Sequence, residues 1–389
     1  MSRLPKISYS GRILVVLSLG WATLQCGRFL LPPLLPRITE TLGFSPAGIG
    51  AALTAFGLIY AVTQYPSGTY SDSLSRATLI VPGFVVLLAG FVAVGLAFSK
   101  LFLIGGLLAL GVGKGVYASP SRALVGDLFT ARRGRAMGIY SAGTDVGGFV
   151  ASGLAVLVLA TATWRIGFLP VVIVLTGTTA LYVVWNREGY EVSGVELSPG
   201  ETAERIASTK NQREILIAFS LFYFFVGGLT NFLPTLLVSG GFSDTVASAS
   251  FALLFATGFL TKPLAGEVSD RYPRLLVAAG ALLVAVIGVS LILLAPALPA
   301  VAAGTVMTAV GYKTLFPISD TILMDTAPDA AMGGDMGAAR AVFLTANAAG
   351  PGVVGVIAEV SNFETAFWVL VASLIISIGV LWRLYRRLR

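Results

Sequence analysis

The chain has 389 residues, no histidine and a single cysteine, Cys26. Without histidine there are no imidazole zinc sites and no His-based nucleophile dyads. One cysteine cannot build a disulfide framework, and Cys26 lies in an apolar run with nothing beside it to activate a thiolate. Charge is scarce as well. Asp, Glu, Lys and Arg make up 12% of the residues, against roughly 25% in soluble domains. A globule this large could not cover its core from water with so few polar groups. Gly111-Val112-Gly113-Lys114-Gly115 looks like a phosphate loop only at first glance. It lacks the upstream glycine, and Gly115 stands where Ser or Thr would hold a metal. The expectation is therefore no enzyme, no ATP-driven pump, no cofactor and no metal.

What is present is apolar sequence. Hydrophobic residues make up 56% of the chain and the mean hydropathy is +0.87, so lipid is the expected solvent. Twelve runs reach spanning length: 13–35, 48–68, 79–98, 101–126, 136–160, 166–185, 215–238, 245–265, 275–295, 299–323, 332–358 and 365–382. Every backbone amide in a bilayer must be satisfied internally, and alternating β-barrel segments are absent, so these runs predict an all-α membrane protein. The first run has no small-residue cleavage site after it and reads as a retained helix. One connection is long and polar. It predicts a six-helix unit at 1–186, a linker at 187–213 and a second unit at 214–389.

The pI near 9.6 does not point to nucleic acid, because the basic residues sit in short loops between apolar runs. With the N-terminus inside, seventeen Lys and Arg fall on the cytoplasmic side and three (Arg37, Lys100, Arg165) on the outer side. That asymmetry predicts cytoplasmic termini in a multi-pass cell-membrane protein.

The halves repeat each other. Gly68, Asp72 and Arg76 are echoed by Gly266, Asp270, Arg271 and Arg274, at an offset of 198 positions for the glycine and the aspartate. Gly27 and Pro33 correspond to Gly228 and Pro234, and the segment from Pro120 to Asp127 to that from Pro317 to Asp325. The spacing of Gly266-Glu-Val-Ser-Asp270-Arg271-Tyr-Pro-Arg274 resembles the loop signature of the major facilitator superfamily. So does Asp127-Leu-Phe-Thr-Ala-Arg-Arg-Gly-Arg-Ala-Met-Gly, which is similar to the segment between that family's fourth and fifth helices. The first loop copy departs from the signature, with Ser73 where an arginine is usual. The resemblance covers essentially the whole chain. It implies two pseudo-symmetric six-helix bundles, a cargo cavity lined by helices 1, 4, 7 and 10, and a lipid-facing periphery of helices 3, 6, 9 and 12.

Charges within the spans single out candidate residues, since each costs free energy unless it faces a cavity or a partner. Runs three, six, nine and twelve have none, matching the implied periphery. Lys114 and Asp145 sit on consecutive runs and could pair. Two readings stay open: a pair that fixes packing, or a cavity lysine with Asp145 as a coupling group that carries a proton. Arg28 and Lys313 have no evident acidic partner at their depth and are expected to face water and an incoming anion. Gln25, Asn231 and Tyr312 are candidate polar neighbours. Lys262-Pro263 looks like the arginine-proline of monocarboxylate transporters, where the basic residue meets the cargo carboxylate. Arg122, Asp320 and Arg340 lie nearer the cytoplasmic ends and are expected in a gating network. There they would join Gly68, Asp72, Arg76, Gly266, Asp270, Arg271 and Arg274, whose ion pairs would hold one of two states.

These features predict a monomeric secondary active transporter working by alternating access, coupled to a proton or ion. A small organic anion is the favoured cargo. The alternative is a proton-coupled efflux antiporter for lipophilic compounds, which Gly350-Pro351-Gly352 partly supports; the fifth run, Gly143-Thr-Asp-Val-Gly147-Gly148, lacks the antiporter proline.

Overall fold

A computed structural model describes residues 8–160, 163–190, 209–295, 297–326 and 332–389, and among these residues there is no strand. The helices are α1 (Tyr9–Leu42), α2 (Pro46–Ser73), α3 (Arg76–Gly95), α4 (Lys100–Leu128), α5 (Arg133–Leu159), α6 (Phe168–Trp185), α7 (Lys210–Ser239), α8 (Asp244–Arg271), α9 (Arg274–Leu294), α10 (Leu298–Thr326), α11 (Met332–Val360) and α12 (Phe363–Leu388). Each contains most of one apolar run. By length and composition all but α10 qualify as membrane spans. α10 carries Lys313 and Asp320 within its apolar stretch, which lowers its hydropathy. Most of the polar connection between α6 and α7, including Glu196, Glu204 and Arg205, lies outside the described residues, as do Arg3 and Lys6.

Local sequence sets the helix ends. Ser8, Ser45, Ser99, Ser243 and Asn362 each accept a backbone N–H as N-caps, and Thr209 with Gln212 forms a reciprocal capping box at the start of α7. α1 ends on Gly43 at φ +69, a left-handed conformation that only glycine adopts without steric cost. Within the spans, hydroxyls such as Thr230 and Thr308 return their proton to the carbonyl four residues back. This is how a polar group survives where water is absent.

Glycine permits close helix approach. A methyl at Gly113 would lie 2.8 Å from the Leu87 nitrogen in α3, and one at Gly111 2.7 Å from the Phe56 carbonyl in α2. The glycines around Lys114 therefore serve helix packing. α3 packs on α4 and α6, and α9 on α10 and α12. Exposed apolar side chains crowd the outer helices: Leu169, Ile173 and Val184 on α6, Leu283 and Ile287 on α9, Ile375 and Ile376 on α12. A surface of this kind belongs against acyl chains. The protein is a multi-pass membrane protein.

The two sets of six helices meet along three seams, α2 with α11, α5 with α8 and α1 with α7. The tight contacts lie toward the end away from the termini. A methyl on Gly50 would come within 2.6 Å of the Pro351 carbonyl, and one on Gly57 within 2.7 Å of the Ala348 Cβ. The Ala47 amide donates to Glu359 Oε2 at 2.8 Å, and Arg37 meets Asp244 at 3.5 Å. Toward the termini the α5–α8 seam ends. A methyl at Gly134, Gly138 or Gly266 would meet nothing within 4 Å.

Candidate functional site

Between the halves lies a cavity of about 290 Å³. Its wall comes from α1 (Trp21, Gln25, Arg28, Phe29), α2 (Phe56, Tyr60, Gln64), α4 (Lys114, Arg122), α5 (Ser141, Thr144), α7 (Tyr223, Thr230, Asn231), α8 (Phe255, Lys262), α10 (Tyr312, Lys313, Asp320) and α11 (Arg340, Asn347). No lining residue belongs to α3, α6, α9 or α12. The charge-free runs thus form the periphery, and every intramembrane cation borders the cavity. All seven residues expected to bind cargo (Arg28, Lys114, Lys313, Gln25, Asn231, Tyr312 and Lys262) are brought to this one wall.

The charges are wired differently from the sequence expectation. Asp145 does not pair with Lys114. It crosses the seam and accepts from two lysines of the other half: Lys313 Nζ donates to Oδ1 at 2.7 Å, and Lys262 Nζ donates to Oδ2. Asp145 and Lys313 are both 3% exposed. Lys313 was expected to lack an acidic partner, so this is a correction. α5 packs against α1 and across the seam against α8, more than against its sequence neighbour α4. Adjacency along the chain was the wrong guide to adjacency in space.

Arg28, Lys114 and Arg122 make no ion pair among the described residues. Aromatic faces support them instead. The Arg28 guanidinium lies 4.6 Å from the Phe29 ring centroid, Lys114 Nζ 4.1 Å from that of Tyr60, and Arg122 5.1 Å from that of Trp21. Trp21 is fixed in turn by donating Nε1–H to Thr144 at 2.9 Å. Arg28 and Lys114 also share the wall of a second, much smaller void, so they are neighbours. Four buried polar atoms of the main cavity (Arg28 Nε, Gln25 Oε1, Gln64 Oε1 and Tyr312 Oη) make no hydrogen bond among the described residues. Asn231 and Asn347 donate to the carbonyls of Gly227 and Tyr223.

Of the expected gating residues, Arg340 and Asp320 pair at 2.8 Å between α11 and α10 of one half. Arg122, the positional counterpart of Asp320, stacks on Trp21 and makes no ion pair with it. Arg76 reaches Asp127 at 3.2 Å and Ser71 at 2.6 Å, within its own half. The Asp72 side chain lies outside the described residues. Asp270 and Arg271 are exposed and, among the described residues, without an ion pair; Arg274 begins α9. Gly68 and Gly266 stand in open space, since a Cβ on either would touch nothing within 4 Å.

Sequence reasoning missed the aromatic supports Phe29, Tyr60 and Trp21, and it missed Gln64. Forty aromatic residues are spread over the chain, and nothing in their spacing marks the three that lie under cations.

The fold and this inter-half cavity are those of a transporter, and the sequence agrees: the profile of the Major Facilitator Superfamily matches residues 17–295 and 215–389. The chain belongs to that superfamily. It is 24% identical over 297 residues to the hexuronate transporter of Bacillus subtilis (strain 168), covering 73% of this chain and 70% of that one. To the probable sulfoacetate transporter SauU of Cupriavidus necator it is 26% identical over 306 residues, covering 73% and 71%. A probable L-galactonate transporter of Escherichia coli (strain K12) is 27% identical over 166 residues, 41% of this chain and 36% of that one. Among solved structures, a bacterial homologue of the human lysosomal transporter Spinster, inward-facing and occupied, aligns with a TM-score of 0.78 at 18% identity, covering 97% of each chain. A POT family transporter in complex with 5-aminolevulinic acid aligns at 0.80 and 14%, again covering 97% of each. At these identities the structural likeness establishes the fold.

Proposed function

We propose that this transporter moves a small organic anion by alternating access, between two six-helix units at 1–186 and 214–389 joined by a cytoplasmic linker. The observation that carries the reading is the pair Arg28 and Lys114. They are neighbouring cations on a cavity wall, supported by aromatic rings and, among the described residues, without an ion pair. Desolvated cations are costly to hold. A visiting carboxylate or sulfonate would accept two parallel hydrogen bonds from the Arg28 fork and a third from the ammonium. The named relatives, transporters of hexuronate, sulfoacetate and L-galactonate, support an acidic solute.

The seams favour one orientation of the cycle. Contacts at Gly50, Gly57 and Ala47 close the end away from the termini, and with cytoplasmic termini in the cell membrane this is an inward-facing state. Asp145 holds α5 to α8 and α10 there. Opening the other end must part these helices, which exposes Asp145 to titration and makes it the candidate coupling group. Asp270, Arg271, Arg274, Arg76 and Asp72 would close the near end in the opposite state, with Gly68 and Gly266 giving room for approach.

Uptake into proteoliposomes tests the reading. A panel of hexuronate, galactonate and sulfoacetate, with and without a pH gradient, should include a solute that accumulates in wild type and fails to in Arg28→Ala. Expulsion of a cationic dye with no anion uptake would sink the anion reading.

A further inference from the structure

The cavity carries more positive charge than one carboxylate can answer. Six basic side chains border it: Arg28, Lys114, Arg122, Lys262, Lys313 and Arg340. Two carboxylates meet them, Asp145 on the lysines and Asp320 on Arg340. Four positive charges are left over. They are also divided between the halves. Arg28 and Lys114 belong to α1 and α4 of one half, while Lys262 and Lys313 belong to α8 and α10 of the other, where two lysines share one acid and retain a net charge of +1. The cavity therefore has two cationic poles, one on each side of the seam, inside about 290 Å³.

Resting on the anion reading above, we propose that the cargo is a compact dianion, with one acidic group gripped by Arg28 and Lys114 and the second gripped by Lys313 and Lys262. Dicarboxylates and sulfocarboxylates share this chemistry. In the empty carrier Asp145 is the resident anion of the second pole, and the cargo's second acidic group competes with it for the lysines. The Tyr312 hydroxyl, buried beside Lys313 and without a hydrogen bond among the described residues, is placed to donate to that group. A dianion spanning both poles draws the halves together, since each pole belongs to a different half. A monoanion satisfies one pole only.

The test compares size-matched solutes on the full-length protein in nanodiscs at fixed ionic strength, by calorimetry: methylsulfonylacetate against sulfoacetate, malonamate against malonate, galactonate against galactarate. Members of at least one dianion class should bind about tenfold or more tighter than their monoanionic partners, a difference of about 1.4 kcal/mol. Equal affinities across all three pairs overturn the dianion proposal and leave the anion reading standing. Binding of neither class overturns both. In Lys313→Gln the preference should fall to within about threefold, under 1 kcal/mol. In Asp145→Asn, which frees the second pole, the dianion should bind more tightly than in wild type. An unchanged preference in a well-folded Lys313→Gln protein also overturns the proposal, and the wild-type comparison stands should either variant fail to fold.

Discussion

Asp145 of α5 and Lys313 of α10 meet at 2.7 Å across the seam between the halves, both 3% exposed, with Lys262 on the second carboxylate oxygen. A buried carboxylate serving two ammonium groups is expensive to remove from one side only, because its partners stay buried and unanswered. Asp145→Ala is therefore expected to destabilise the solubilised protein by about 3–5 kcal/mol, read as an earlier thermal unfolding midpoint. Asp145→Ala combined with Lys313→Met should recover much of that loss. Failure of the double variant to recover would mean that Asp145 stabilises through other contacts.

The closed end depends on backbone contact at glycine. A side chain at Gly57 collides with Ala348, and one at Gly50 with the Pro351 carbonyl. Gly57→Val should block this closure while leaving each half intact, and transport should drop by tenfold or more without loss of monodispersity. A cysteine pair at Ala47 and Glu359, in a background of Cys26→Ser, reports the state directly. Its crosslinking yield should be high in the parent and low in Gly57→Val. Equal yields would show that closure tolerates the added bulk.

Arg28 offers a planar fork that lysine cannot copy. Hydrogen bonds involving a charged group contribute roughly 1.5–3 kcal/mol, so Arg28→Lys should raise the KM for the transported anion by about tenfold, and Arg28→Ala by more. If uptake kinetics were unchanged in both, Arg28 would have no place in recognition.

The Arg340–Asp320 pair is different in kind. Its members are 37% and 35% exposed, and a half-buried pair that keeps this much contact with water contributes little, about 1 kcal/mol. Arg340→Ala should barely move the unfolding midpoint. A clear fall in transport, recovered by the charge exchange Asp320→Arg with Arg340→Asp, would be the mark of a gate. A large stability loss instead would reveal a packing element.

Much was legible in the chain itself. Apolar run length gave the helices, because a bilayer leaves the backbone no alternative. The offset of 198 between Gly68 and Gly266 gave the duplication, and the charge-free third, sixth, ninth and twelfth runs gave the periphery. The cost of burying charge marked Arg28, Lys114, Lys262 and Lys313 as residues that need a cavity or a partner. Partner choice was not legible. Asp145 was expected within reach of Lys114 on the next run, and Lys313 without an acid, since sequence reports which helices carry charge and not which faces meet. Only the packing of α5 against α8 decided that Asp145 serves the far half. Arg28 and Lys114 were thereby left on aromatic rings, with no acid of their own among the described residues. Hydrophobicity is a property of each segment and can be read in order; ion pairing is a property of two surfaces and exists only once the bundle has closed.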